Sequence, residues 1–137
     1  MAFVLDASAA LPWCFSDEVS AFTESLLARA SSGEELFVPA HWTTEVLSAL
    51  IEGRRRNRIS DIEIERFLID LTSFHIVIEE SYSVFRMREP RLLAEKHNLT
   101  AYDAAYLDLA KRHSLPLATL DQRLRQASAF EGFLLTD

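Results

Sequence analysis

Four carboxylates in this 137-residue chain stand where they could work together. Asp6 directly follows the apolar run Phe3-Val4-Leu5, and Asp121 comes two residues after Leu117-Ala118-Thr119. Both runs are short and apolar throughout, so each acid lies just past the end of a buried strand. Glu45 falls early in a helical stretch that follows another such run, Leu36-Phe37-Val38. At about 100° per residue, Glu45 is about 60° from Trp42 and about 40° from Ala49, on the edge of the apolar stripe. An ionised group there is costly unless it is paired or bound to a metal. Asp103 lies in the first turn of a helix that Thr100 begins. Carboxylate-rich sites suit Mg²⁺ or Mn²⁺, which prefer oxygen ligands and keep several waters. A cation held in this way can activate water and offset charge on a phosphate. Ser8, two residues after Asp6, and Thr119, two before Asp121, carry hydroxyls able to orient a carboxylate or a water.

Each residue also has a plainer use. Asp6 and Asp121 are placed to cap the helices that follow them. Thr100-Ala101-Tyr102-Asp103 has the form of a capping box, and Glu45 would be favoured by the helix dipole. Ser8 could cap a helix and Thr119 could be a β-branched strand residue. Capping does not require four acids to converge, however, and acids that converge repel one another until a cation separates their charges. The remaining acids read differently. Asp108 is about 140° round the helix from Asp103 and is expected in solvent. Glu34-Glu35 and Glu79-Glu80 read as loop or strand-end charge, and Asp17 and Glu18 are at most outer groups of the site.

The elements that must position these residues alternate. After Phe3-Val4-Leu5, a helix is expected from about Glu18 to Ala30, with Phe22, Leu26, Leu27 and Ala30 on one face. Leu36-Phe37-Val38 is a strand ended by Pro39, followed by a helix from His41 to about Arg55. Ser60 and Glu63 have capping-box spacing and open a helix bearing Ile64, Phe67, Leu68 and Leu71. His75-Ile76-Val77-Ile78 is a strand. Ser83 to His97 reads as helix, kinked or restarted at Pro90, with Asn98 as a left-handed terminator. The Thr100 helix carries Ala104, Leu107 and Ala110 on one side. Leu117-Ala118-Thr119 is a strand, Asp121 to Ala129 a short helix, and Phe133-Leu134-Leu135 a last strand. Short apolar strands alternating with helices predict a parallel sheet covered on both faces, with right-handed crossovers. In such sheets the ligand crevice lies at the strands' C-terminal ends, where Asp6 and Asp121 stand.

Composition narrows the function. The net charge is −7 and nearly half the residues are apolar, as in an ordinary globular domain spanning 1–137. No apolar run approaches a membrane span of roughly 18–20 residues, and Met1-Ala2-Phe3-Val4-Leu5 lacks the basic start of a signal peptide. A cytoplasmic protein with no membrane partner is expected. Cys14 is alone, so neither a disulfide framework nor a cysteine zinc site can form. Gly33, Gly53 and Gly132 are too far apart for a Walker loop or a dinucleotide fingerprint. His41, His75, His97 and His113 show no metal-ligand spacing.

The motifs together resemble the PIN domain, and most closely the VapC-type ribonuclease toxins of bacterial toxin–antitoxin pairs. The resemblance rests on Val4-Leu5-Asp6-Ala7-Ser8-Ala9-Ala10-Leu11, Pro39-Ala40-His41-Trp42-Thr43-Thr44-Glu45-Val46, Leu99-Thr100-Ala101-Tyr102-Asp103-Ala104-Ala105-Tyr106 and Leu117-Ala118-Thr119-Leu120-Asp121-Gln122-Arg123-Leu124. These four segments span almost the whole chain in the family's order. The resemblance implies a Rossmann-like α/β sheet of about five parallel strands flanked by helices. It implies Asp6, Glu45, Asp103 and Asp121 as the catalytic metal site, supported by Ser8 and Thr119. It further implies Mg²⁺- or Mn²⁺-dependent hydrolysis of RNA phosphodiester bonds by an activated water, a homodimer, and inhibition by a small antitoxin protein.

The acidic balance stands against a polyanionic substrate, which ordinarily wants a basic footprint. Setting the four site acids aside leaves −3, and bound cations would reverse the local sign. Arginine outnumbers lysine 12 to 2, and Arg54, Arg55, Arg56 and Arg58 cluster at a helix end. They could fork onto phosphates or an acidic antitoxin segment, or form a solvated last turn favoured by the helix dipole. Trp13, Trp42, Phe67 and Phe85 are expected in the core or a dimer interface. Two other readings compete. A receiver-like acidic Mg²⁺-binding domain expects paired acids after the first strand and a lysine after the last, and the chain has neither. A non-catalytic PIN-fold binding module would need no intact acid set.

Overall fold

In the computed structural model, which describes residues 1–136, the first apolar run forms β1 (Ala2–Leu5), with Phe3, Val4 and Leu5 fully buried. Asp137, the last residue of the expected 1–137 domain, lies outside the described residues. The chain continues through α1 (Ala7–Ala10), α2 (Ala21–Ser31), β2 (Glu35–Val38), α3 (Trp42–Arg55), α4 (Asp61–Ser73) and β3 (His75–Ile78). It ends with α5 (Arg88–His97), α6 (Ala101–His113), β4 (Leu117–Ala118) and α7 (Gln122–Glu131).

The sheet is parallel in the order β3-β2-β1-β4, flanked by helices as expected. Four strands form it rather than five. Phe133-Leu134-Leu135 contributes a single bridge, Leu134 to Leu117, made by Leu117 N–H to Phe133 O at 2.7 Å and Leu135 N–H to Leu117 O at 2.9 Å. Pro116 precedes the two-residue β4, so a strand alongside it has only that length to pair with. The strand order reverses at β1. The chain builds outward through β2 and β3, then returns to lay β4 on β1's other side. In open parallel sheets such a switch point is where ligands bind, here at the C-terminal ends of β1 and β4.

Several local expectations shift. The helix expected from Glu18 begins at Ala21 because Ser20 caps it, accepting the Thr23 N–H at 3.2 Å, while Ser16–Glu18 forms one 3₁₀ turn. The Ser83–His97 segment splits into a 3₁₀ turn at Val84–Arg86 and α5. Pro90 sits in the first turn of α5, where its missing N–H leaves no helical bond unmade. The Ser60–Glu63 capping box forms, and Asn98 ends α5 with φ 53°. On α4 only Phe67 is buried, and Leu68 faces outward.

Helix α6 departs most from its sequence pattern. Every residue from Ala104 to Ala110 is buried, including Asp108 at 4 % exposure, which was expected in solvent. Its alanines let the middle two turns of the helix lie close to their neighbours, so Ala104 to Ala110 leave little surface to water. Asp108 is accommodated because it accepts from the Tyr82 hydroxyl and from Arg112 Nε at 2.9 Å. Arg112 also donates to Glu79 at 2.6 Å, so that strand-end acid is part of a half-buried network.

Gly53 illustrates packing overriding helix propensity. A Cβ there would lie 2.6 Å from the Phe15 ring, which is buried and covered by the Arg58 guanidinium at 4.7 Å. Gly53→Ala should therefore destabilise by about 1–3 kcal/mol through overpacking, although alanine is the better helix former. Chemical denaturation would read this, and a stabilised variant would mean that Phe15 swings aside freely.

Candidate active site

The β1–β4 register brings the site together. Val4 pairs with Leu117 and Leu5 with Ala118, so Asp6 and Thr119 are the next residues across the strand pair. Asp6 N–H bonds Ala118 O at 3.0 Å. The Thr119 hydroxyl donates to Asp6 Oδ2 at 2.7 Å, and the Ser8 hydroxyl donates to the same oxygen at 2.6 Å. Ser8 and Thr119 also hold the following loop. Leu120 N–H donates to Ser8 Oγ at 2.9 Å, and Asp121 N–H donates to Thr119 Oγ1 at 3.0 Å. Asp6 sits at the head of α1 but makes no side-chain cap, so its buried carboxylate belongs to this cluster.

The other acids arrive on helix first turns. Asp121 does cap α7, with Oδ2 accepting the Leu124 N–H at 2.9 Å. Thr100 caps α6 by accepting the Asp103 N–H at 3.1 Å, yet no carboxylate bond returns to the Thr100 N–H. The Asp103 side chain is therefore not spent on a capping box. Glu45 is half-buried in the first turn of α3 and takes the Tyr106 hydroxyl on Oε1.

Electrostatics record the proximity of the four. Burial raises the Asp6 carboxyl, the Ser8 and Thr119 hydroxyls pull it back, and the Asp121 charge raises it again. Burial likewise raises Glu45, opposed by the Tyr106 hydroxyl and reinforced by Asp6. Asp103 is pushed up to about 6, first by burial and then by the charges of Asp121, Asp6 and Glu45. Like charges that raise one another in a partly desolvated crevice are a destabilising arrangement for the protein alone.

The donors match a hydrated divalent cation. Asp6, Glu45 and Asp121 each commit one oxygen to a protein hydrogen bond and leave the other without a protein partner among the described residues. No three His, Cys, Asp or Glu side chains there close to direct chelating distance of one another. Mg²⁺ is commonly held by one or two carboxylates with water completing its shell, so a tight protein cage is not required.

Two residues near the acids were not singled out from the sequence. Tyr106, three residues after Asp103, is fully buried, and its hydroxyl bridges towards Glu45 and the Ala7 N–H at 3.4 Å. His41 lies 3.6 Å from Glu45 Oε1, with its Nε2 buried and unpartnered. Their helical spacing from Asp103 and Glu45 was visible, but an aromatic on an apolar stripe reads as core.

Other residues stay apart from the acids. Asp17 and Glu18 both accept from Arg58, at 3.0 and 2.7 Å, so they serve that guanidinium rather than the site. Arg54 pairs with Asp61 and Arg56 with Glu52, while Arg55 has no ion pair among the described residues. Nine residues of helix separate Glu45 from Arg54, roughly 14 Å along the α3 axis. Trp42 and Phe67 are buried and Trp13 is half-buried against Phe74, whereas Phe85 is 95 % exposed and is not core.

A parallel α/β sheet with acids near its switch point defines a class, and nearly the whole chain falls in it. Residues 3–129 match the family model of the PIN domain, and the chain belongs to that family. That membership sets the receiver reading aside. Among characterised relatives, the chain is 30% identical over 126 residues to Ribonuclease VapC3 of Pyrobaculum aerophilum, covering 92% of this chain and 94% of that one. It is 33% identical over 124 residues to Ribonuclease VapC12 of Mycobacterium tuberculosis, covering 90% of each. The crystal structure of PAE2754 from Pyrobaculum aerophilum shares the fold, with a TM-score of 0.73 at 22% identity, over 98% of this chain and 88% of that one.

The raised Asp103 has a consequence for pH. Its folded value, about 6, exceeds an unfolded value of about 4, so the folded state holds this proton more tightly. The stability it contributes is full below about pH 4 and is lost as pH rises through about 6. In chelator, wild-type protein should therefore lose more melting temperature between about pH 4 and about pH 7 than Asp103→Asn. Parallel curves would mean that Asp103 does not feel the other three charges.

Proposed function

We propose that this protein is a Mg²⁺- or Mn²⁺-dependent endoribonuclease that hydrolyses RNA phosphodiester bonds with water, acting in the cytoplasm as the toxin of a toxin–antitoxin pair. One observation carries the reading: the Asp6, Glu45 and Asp103 carboxyls are all raised, and the charges behind the rise include those of Asp6, Glu45 and Asp121 across the β1–β4 strand ends. Support comes from relatives named ribonucleases that align over about nine-tenths of both chains.

The four acids would hold the cation. When bound, it supplies a water of lowered pKa and a Lewis acid for the phosphoryl oxygens. The protein's own part is positional. Ser8 and Thr119 fix Asp6 by one oxygen, which aims the other into the crevice. Tyr106 does the same for Glu45. Asp121, held by its capping bond, or Asp6 would position the attacking water with its remaining oxygen. No serine nucleophile or histidine base is needed for that reaction.

The same proposal includes partners. Val84 and Phe85 project apolar side chains into solvent between β3 and α5, a surface suited to pairing with a second copy. Leu47 and Ile51 on α3, with Ile62 and Ile69 on α4, are also uncovered and available to a small antitoxin. The exposed ion pairs of Arg54, Arg56 and Arg58 are individually weak, so an acidic antitoxin segment or RNA could replace them at little cost.

Purified protein should cleave a pool of structured RNAs with Mg²⁺ or Mn²⁺, not with chelator, and Asp6→Asn should abolish the activity. Equal cutting by the variant would place the activity elsewhere. Mn²⁺ should also raise the melting temperature by mass action, by an amount corresponding to about 2.7 kcal/mol at a hundredfold excess over Kd. An unchanged melting temperature would count against a cation site. If the tip of the β3–α5 connection forms the dimer, Phe85→Ser should shift elution volume to that of a monomer without lowering the melting temperature of the fold.

A further inference from the structure

A groove of about 920 Å³ opens between α5 and α6 beside the acids. It is near the upper end of the roughly 300–1,000 Å³ typical of small-ligand sites. His41 and Tyr102 form an aromatic wall, Pro90, Ala94 and Leu99 add apolar lining, and Arg88, Arg91, Glu95 and Asn98 supply its polar lining. Tyr102 is 61 % exposed, with its ring edge-on to His41 at 5.2 Å. His41 in turn packs edge-on against Tyr106 at 5.4 Å and reaches within 3.6 Å of Glu45. Tyr102 also immediately precedes Asp103 on α6. The aromatic wall therefore joins the acid cluster at two places.

The charged lining of this groove runs against that of the whole molecule. The chain carries −7, yet Arg88 and Arg91 line the groove against the single acid Glu95. Arg88 and Arg91 contact Glu89 at 3.2 Å and Glu95 at 2.8 Å, both on the protein surface. Such exposed pairs contribute little and yield readily to a phosphate that a guanidinium can fork. Arg86 has no ion-pair partner among the described residues.

We infer that this groove is the subsite for a nucleobase next to the scissile phosphate of single-stranded RNA, with Tyr102 as its stacking platform. The inference rests on the ribonuclease reading above. An unstacked base offers a π face to any exposed aromatic, and bases in a duplex do not. His41 backs the Tyr102 ring and keeps it from collapsing onto the acids. Arg88 and Arg91 meet the adjoining phosphates, and the Asn98 amide carries the donor and acceptor that a base edge requires.

The test uses the shortest single-stranded RNA that the wild-type protein cuts with Mg²⁺. Tyr102→Ala should raise KM by roughly five- to 150-fold, with a smaller change in kcat and an unchanged melting temperature. Tyr102→Trp should retain the wild-type KM. Arg91→Gln should lower the dependence of log KM on log salt by about 0.7. An abasic strand that keeps the phosphates should compete equally well against wild type and Tyr102→Ala. If the wild-type protein cuts no RNA, the ribonuclease reading falls and this subsite with it. If it cuts and Tyr102→Ala matches it in KM, only the subsite falls. A Tyr102→Ala change in elution volume with unaltered KM would assign the groove to a second copy and overturn the proposal.

Discussion

The structure depends on keeping one buried carboxylate where β1 meets β4. Asp6 is nearly inaccessible and lies among apolar strand ends, an environment that resists ionisation. Two hydroxyls donate to one of its oxygens, one from the helix that follows β1 and one from the end of β4. Those hydroxyls accept backbone N–H groups from Leu120 and Asp121, so the carboxylate and the loop carrying the next acid form one hydrogen-bonded unit. The parallel pairing of β1 with β4 is therefore both sheet and site.

The remaining charge separates into two populations. Inside the crevice, acids face acids, and burial raises their proton affinity. Elsewhere, acids that are equally sheltered have cations. Glu131 is held down to about 2 by Lys111, Lys96 and His97, and Asp108 sits between Tyr82 and Arg112. A fold that neutralises its sheltered acids everywhere except at a single rim has left that rim to a charge from outside. The strain is tolerable because Glu45 and Asp103 are half-exposed and Asp121 is exposed, so water screens part of the repulsion.

The order of elements was legible in the sequence because short apolar runs separated by amphipathic stretches leave little choice but a covered parallel sheet. Capping was legible at Ser60 and Asn98 for the same local reason. Asp108 was not legible: helical phase relative to Asp103 said solvent, and only the Tyr82 loop closing over α6 made that position interior. The last strand was misjudged in extent, because the length of β4 is limited by Pro116 and not by the apolar run that pairs with it. His41 and Tyr106 were passed over because side chains on an apolar stripe look alike whether they line a core or back a site.

By itself, the sequence determined which residue types stand at the strand ends and helix starts, and hence that carboxylates rather than thiols or imidazoles stand there. Those are properties of residue identity and local period. Tertiary structure alone decided which capping candidates had other work. Asp121 caps its helix and Asp6 does not, since Ser8 and Thr119 reach Asp6 only after β4 has paired with β1. It also decided that an aromatic wall would lie beside the acids, where His41 at the start of α3 packs against Tyr102 and Tyr106 of α6. Contacts between residues a hundred positions apart follow from sheet register and helix packing, and local periodicity carries no record of either.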